Sequence, residues 1–96
     1  MVKELAILNV IAGQEKQFET DFKRAEKYIS SSEGYINHTL SKCLEQPNKY
    51  ALLVNWETLE SHIVGFRQSP EYLEWKNLLH HYYDPFPTVE HYVTIL

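Results

Sequence analysis

The order of elements along this chain predicts an α+β fold: a ferredoxin-like β-α-β-β-α(α)-β unit whose antiparallel sheet carries its helices on one face. Three observations predict it. Two strand-like segments are apolar on both alternating parities, two helical stripes recur at spacings of three and four, and a Pro-Asn turn folds a middle pair of strands into a hairpin. At 96 residues, with no internal repeat, low-complexity tract or linker, residues 1–96 form a single domain.

The opening segment Glu4–Ile11 is apolar on both parities, the pattern of a strand covered on both faces. Gly13 breaks it. Phe18, Phe22, Ala25 and Ile29 then mark one face of a helix, with acids and lysines on the other. The serines from Ser30 to Ser32 and the following Gly34 end that helix, because serine favours turns and glycine accepts the left-handed cap. Tyr35–Leu44 and Lys49–Glu57 are strands around the turn Glu45-Gln46-Pro47-Asn48. Thr58 caps a short helix from Leu59 to about Arg67, and Ser69-Pro70 starts a second. That second helix buries Tyr72, Trp75, Leu79 and Tyr82 until Asp84-Pro85-Phe86-Pro87 stops it, and Val89–Ile95 is the last strand.

Helices on one face leave the other face of the sheet open. Because the first and third strands are apolar on both parities, a second copy of the sheet is the economical cover, and a two-fold homodimer built sheet to sheet is expected. The single Cys43 excludes an intrachain disulfide and is read as a packing residue, which leaves oligomerisation as the aid to so small a domain. Thirteen acids against nine bases give a net charge of −4, which lacks the electrostatic footprint of a nucleic-acid partner. No apolar run is long enough for a membrane span, and Met1 leads into a strand instead of a cleavable signal, so a soluble cytoplasmic protein is expected.

Three stretches carry a family resemblance: Trp56-Glu57-Thr58-Leu59-Glu60-Ser61-His62, Gly65-Phe66-Arg67-Gln68-Ser69-Pro70-Glu71-Tyr72-Leu73-Glu74-Trp75, and Val89-Glu90-His91-Tyr92. Together with the element order they resemble the antibiotic biosynthesis monooxygenases, dimeric α+β barrels. That family includes cofactor-independent quinol and anthrone oxygenases, haem-degrading enzymes, an isomerase and members without known activity, so the fold does not choose the chemistry. What the resemblance implies is a pocket in each protomer, between helices and sheet, sized for a flat aromatic molecule.

Cofactor-free oxygenation needs a base, a hydrogen bond to the developing oxyanion and a dry cavity. On that reading His62 and His38 are the candidate bases. Phe66, Trp75, Tyr72, Asn37, Tyr83 and His91 are the candidate pocket residues. His62 precedes Phe66 by four residues, so the two share a helical face as base and aromatic wall. His91 and Val93 share one face of the final strand, and Glu90 and Tyr92 the other. Large aromatics at such spacings are more often core, and His91 on the final strand is more often a buried structural or dimer-contact residue.

No metal and no organic cofactor is expected. His80 and His81 are adjacent on a helix with no second His or Cys three or four residues away, so zinc lacks a ligand set. Arg67 can clamp a carboxylate or carbonyl, or close its helix. The haem-degrading relatives place an Asn on the first strand and a Trp and a His on the later helices. Here Ala6, Phe66 and Lys76 occupy those places, or Trp75 for the last with a shift of one, and proximal haem ligation loses its imidazole. The first expectation is therefore a cofactor-independent monooxygenase for a small quinol- or anthrone-like molecule. The alternative from another class is a non-catalytic dimeric protein that binds a small molecule in the same pocket.

Overall fold

The computed structural model describes residues 1–96. Four strands, β1 (Val2–Asn9), β2 (Tyr35–Lys42), β3 (Lys49–Trp56) and β4 (Val89–Tyr92), form one sheet in the order β2-β3-β1-β4. Every neighbouring pair is antiparallel. Helix α1 (Glu15–Ser30) and helix α2 (Pro70–Leu79) pack on one face of it, as the sequence predicts.

The strand period decides which side chains meet the helices. On the inner face β1 buries Glu4, Ala6 and Leu8, and β3 buries Tyr50, Leu52, Val54 and Trp56. On the outer face Leu5 pairs with Leu53 and Ile7 with Ala51 at the centre of the sheet. The helices do not reach that face, and Ile7 is 37% exposed in the single chain. A register shift between Tyr35 and Asn37 bends β2, after which His38 pairs with Val54 on the inner face and Asn37 with Asn55 on the outer.

Helix α1 buries the predicted stripe of Phe18, Phe22, Ala25 and Ile29 against the sheet. Its start follows Gly13, whose N–H donates to Glu15 Oε1 at 2.6 Å, and its exit passes through Gly34 at φ +85°. Gly34 is also a close-approach position: its carbonyl accepts from Glu57 N–H at 2.8 Å, and an added Cβ would lie 2.6 Å from Ser61 Cβ. Left-handed strain and this clash act together, so Gly34→Ala is expected to cost about 2–3 kcal/mol. Urea denaturation reads the loss, and an unchanged midpoint would show that the turn shifts freely.

After β3, Thr58 Oγ1 accepts from Ser61 N–H at 3.1 Å and starts the short helix. From Ser61 to Phe66 that helix is wound as a π-helix, and Arg67 N–H donates to the carbonyl of His62 at 3.0 Å. The wider winding keeps both His62 and Phe66 on the buried face. Ser69 caps α2 by accepting from Tyr72 N–H, with Pro70 in its first turn. The chain then tightens into a 3-10 turn, His80–Tyr82, so Tyr82 joins the core from there and not from α2 itself.

β4 is shorter than the Val89–Ile95 expected. The last pair is Tyr92 with Lys3, and Val93 beyond it is 70% exposed. No helix is long and apolar enough to cross a membrane.

Candidate functional site

A half-enclosed cavity of about 340 Å³ lies between the helices and the inner face of the sheet, within the usual size range of small-molecule sites. Its floor is β-sheet: Ala6 and Leu8 from β1, Leu52 from β3 and Val89 from β4. Ala6 makes the room, because every larger side chain on that central strand would project into it. One wall is aromatic. Phe66 meets Tyr72 edge-on at a centroid distance of 5.3 Å and Trp75 edge-on at 5.8 Å. At the other end His80 lies edge-on to Tyr72 at 5.9 Å and to Phe86 at 5.0 Å, with Tyr83 beside them.

The remaining end is polar: Glu4 at 5% and His62 at 3% exposure are buried there, and the exposed Arg67 lines it as well. Trp56 Nε1–H donates to Glu4 Oε1 at 2.9 Å, and His62 Nε2 stands 3.4 Å from the same oxygen. The His62 ring stacks on the Trp56 indole at 5.3 Å and 15°. Its other nitrogen, Nδ1, is 2.8 Å from His91 Nε2. Three strands and the π-helix thus converge on one imidazole, which has little freedom to turn.

Burial sets the charge states here. It raises the Glu4 carboxyl, an effect the Trp56 hydrogen bond and the Arg67 charge partly oppose. Burial pushes His62 down to about 3, helped by the charges of Arg67 and His91, so the ring is neutral near pH 7. His91 is lowered by burial and then by Arg67, and His80 by burial and then by Lys76. Burial, with Tyr72 beside it, raises the Tyr83 hydroxyl, which remains a hydrogen-bond donor.

Of the residues singled out from the sequence, His62, Phe66, Trp75, Tyr72 and Tyr83 line this cavity. His91 sits behind His62 and reaches the cavity only through it. His38 lies elsewhere. It faces a separate recess between α1 and β2 that shares no lining residue with the cavity, its Nε2 2.6 Å from Glu26 Oε2 and its Nδ1 2.5 Å from Tyr35 Oη. Asn37 is on the outer face, where Asn55 Nδ2 donates to its Oδ1 at 2.6 Å. The bend at the start of β2 and the alternation of side chains turn Asn37 outward, while His38 faces inward but from the edge strand β2, away from the cavity floor on β1, β3 and β4.

Glu4, His80 and Phe86 were not marked as site residues by the sequence reasoning. Glu4 left a signal, a lone carboxylate on the same parity as Ala6 and Leu8 in an apolar strand, and such a group is buried only for a reason. His80 and Phe86 left none, because the 3-10 turn that aims them does not show in spacing. Lys76, in the place of the haem ligand of the haem-degrading relatives, is exposed and is not part of the cavity wall.

Four antiparallel strands with helices on one face, and an aromatic cavity between the layers, define a ferredoxin-like α+β protein. Residues 1–78 match the family model of the antibiotic biosynthesis monooxygenases, and the chain belongs to that family. It is 58% identical over 92 residues to the uncharacterised Bacillus subtilis protein YczJ, spanning 96% of this chain and 97% of that one. A Bordetella bronchiseptica protein assigned to the same family superposes with a TM-score of 0.94 at 33% identity, covering 99% of this chain and 97% of the other. SnoaB of Streptomyces nogalater, a cofactor-independent oxygenase, shares the fold with a TM-score of 0.74 at 22% identity, over 99% of this chain and 93% of its own.

Proposed function

We propose that this protein is a cofactor-independent monooxygenase that oxidises a small, planar quinol- or anthrone-like molecule. The observation that carries the reading is the buried Glu4–His62 pair at the polar end of an otherwise aromatic cavity. Ionising the substrate makes it electron-rich enough to pass an electron to dioxygen. Radical recombination gives a peroxide, and loss of water leaves one oxygen atom on carbon. For an anthrone, a CH₂ group and O₂ become a carbonyl and one water.

The depressed basicity of His62 moves the role of base to Glu4, whose raised pKa suits proton uptake nearer neutrality. Glu4 Oε1 faces Trp56 and His62, which leaves Oε2 for the substrate proton. Tyr72 and Tyr83 supply polar hydrogens toward an oxyanion, and Phe66 and Trp75 hold the ring plane. Oxygen uptake by dialysed, chelator-treated protein offered quinols, anthrones and catechols tests this, with heat-denatured protein as the blank. Uptake that survives chelation is expected. Saturable binding of a panel member without uptake would instead make the protein a non-catalytic binder.

The second part of the proposal is a homodimer joined through the outer sheet faces. Leu5, Ile7, Ala51 and Leu53 form an apolar centre there, and Asn55 Oδ1 on the same face is the one buried side-chain atom left without a partner. Ile7→Lys would place two like charges across the two-fold axis. It is expected to convert a dimer into a monomer at micromolar concentration in light scattering, while a monomeric parent protein would refute the interface outright.

A further inference from the structure

Glu4, His62 and His91 lie in a row that starts at the cavity wall and ends at the edge of the sheet. Glu4 comes from the central strand β1, His62 from the π-helix and His91 from the edge strand β4. The links are Glu4 Oε1 to His62 Nε2 at 3.4 Å and His62 Nδ1 to His91 Nε2 at 2.8 Å. Glu4 and His62 are buried, whereas His91 is only half-buried and outside the cavity lining. An interior carboxylate is thereby joined through His62, which uses both ring nitrogens, to the half-buried His91 at the sheet edge, whose Nδ1 is the remaining ring nitrogen.

From this geometry we infer that Glu4, His62 and His91 form a proton relay, through which Glu4 exchanges its proton with solvent while the cavity is occupied. The relay stands on the structure alone. Its use in turnover rests on the oxygenase reading above.

An outward passage balances as follows. Glu4, having taken the substrate's hydroxyl proton on Oε2, turns its carboxyl so that this O–H meets His62 Nε2 while the other oxygen accepts from Trp56, and gives the proton to His62 Nε2; His62 gives its Nδ1 proton to His91 Nε2; His91 gives its Nδ1 proton to water. One proton has entered the row and one has left, both rings are again neutral, and each now holds its hydrogen on Nε2. The next passage must then run inward, returning a proton to Glu4 and restoring both tautomers. One proton out when the substrate ionises and one back when the peroxide is protonated is the stoichiometry that oxygenation requires, with no net uptake.

Neutral rings suit this work, and the groups facing them keep them so. Burial disfavours the imidazolium at both positions, and the Arg67 guanidinium at the end of the π-helix opposes a second positive charge on either. Trp56 fixes the other member of the row by donating to Glu4 Oε1 and lying flat against His62. The longest link, at 3.4 Å, joins the two side chains of the row that line the cavity and closes by a small movement of the Glu4 carboxyl.

The test is made on the ligand-free protein, labelled with ¹⁵N in its imidazoles. A coupling across the hydrogen bond between His62 Nδ1 and His91 Nε2 is expected, and its absence would overturn the relay before any substitution is made. The second measurement is solvent exchange of the His62 ring N–H in the parent, His91→Gln and His91→Phe. Glutamine can still donate to His62 Nδ1 but cannot pass a proton on. Both variants are expected to slow the exchange by roughly tenfold or more. Parent-like exchange in either folded variant refutes passage through His91. A protein with the coupling and the slowed exchange but no oxygen uptake on any panel member would lose the oxygenase reading and keep the relay.

Discussion

His62→Gln is expected to lower oxygen uptake by about 10²–10⁴-fold, the usual contribution of a positioned acid–base group, and to flatten the acid limb of the stability profile. The two effects share one cause. His62 is wedged between Glu4 of β1, Trp56 of β3 and His91 of β4, with Arg67 close by, and there it is held neutral with its pKa pushed from the usual 6.5 to about 3. In the unfolded chain the ring takes a proton at about pH 6.5. Between those values the unfolded state therefore binds more protons, and stability is present above pH 6.5 and lost as the pH falls toward 3.

At pH 4 the loss through His62 reaches about 3 kcal/mol as an upper bound. Two neighbours make it an upper bound: a Glu4 carboxylate 3.4 Å away favours the charged ring, and Glu4 itself titrates with the opposite sign. Its folded pKa is raised, so folded Glu4 holds its proton more tightly than unfolded Glu4, and that contribution fades as the pH rises above the usual carboxyl range. Urea denaturation at pH 7 and pH 4 separates the terms. The parent should lose more stability on acidification than His62→Gln, and equal losses in the two proteins would show that His62 is not the group responsible.

Phe18→Ala is expected to remove about 3–5 kcal/mol, more than any surface change, and to lower the melting temperature by about 15–30 °C. Phe18 is fully buried on the first turn-pair of α1. Its ring lies 5.8 Å from Phe22, 4.9 Å from Tyr50, 5.6 Å from Tyr82 and 6.0 Å from Tyr83, which ties α1 to β3 and to the chain after α2. Those neighbours are themselves held from the outside: Tyr50 donates to Glu19 and Tyr82 to Asp21, both at 2.5 Å. Rings tethered at their hydroxyls cannot collapse freely into the space an alanine would leave, so the cavity term stays large. A loss below about 1 kcal/mol, measured at one fixed protein concentration because assembly would add to it, would mean that the cluster repacks.

The two large effects fall at residues of different legibility. Phe18 was plain from its place in the stripe Phe18, Phe22, Ala25 and Ile29, because a helix has one period and a buried face must repeat on it. His62 was plain as a residue on the same face as Phe66, but its chemistry was not. Its low basicity follows from burial first and then from Arg67 and an imidazole 29 positions later, and the carboxylate it meets lies 58 positions earlier, so no local pattern shows its environment. His38 shows the converse error: an equally suitable residue type, placed on the edge strand β2 beside Glu26 and Tyr35 instead of in the cavity.

The amino-acid sequence by itself determined the order of elements, the inner stripe of α1, the capped restart at Ser69-Pro70 and the membership of an aromatic-pocket family, because each depends on neighbours within a few turns of chain. The register between strands was decided only by the tertiary structure. Pairing Glu4 with Val54 and His91 put a carboxylate, and the imidazole that completes its row, on the same face as the π-helix, and a slip of one residue would have turned all of them outward. Charge state follows from that placement, since burial and proximity set a pKa and neither is a local property of the chain.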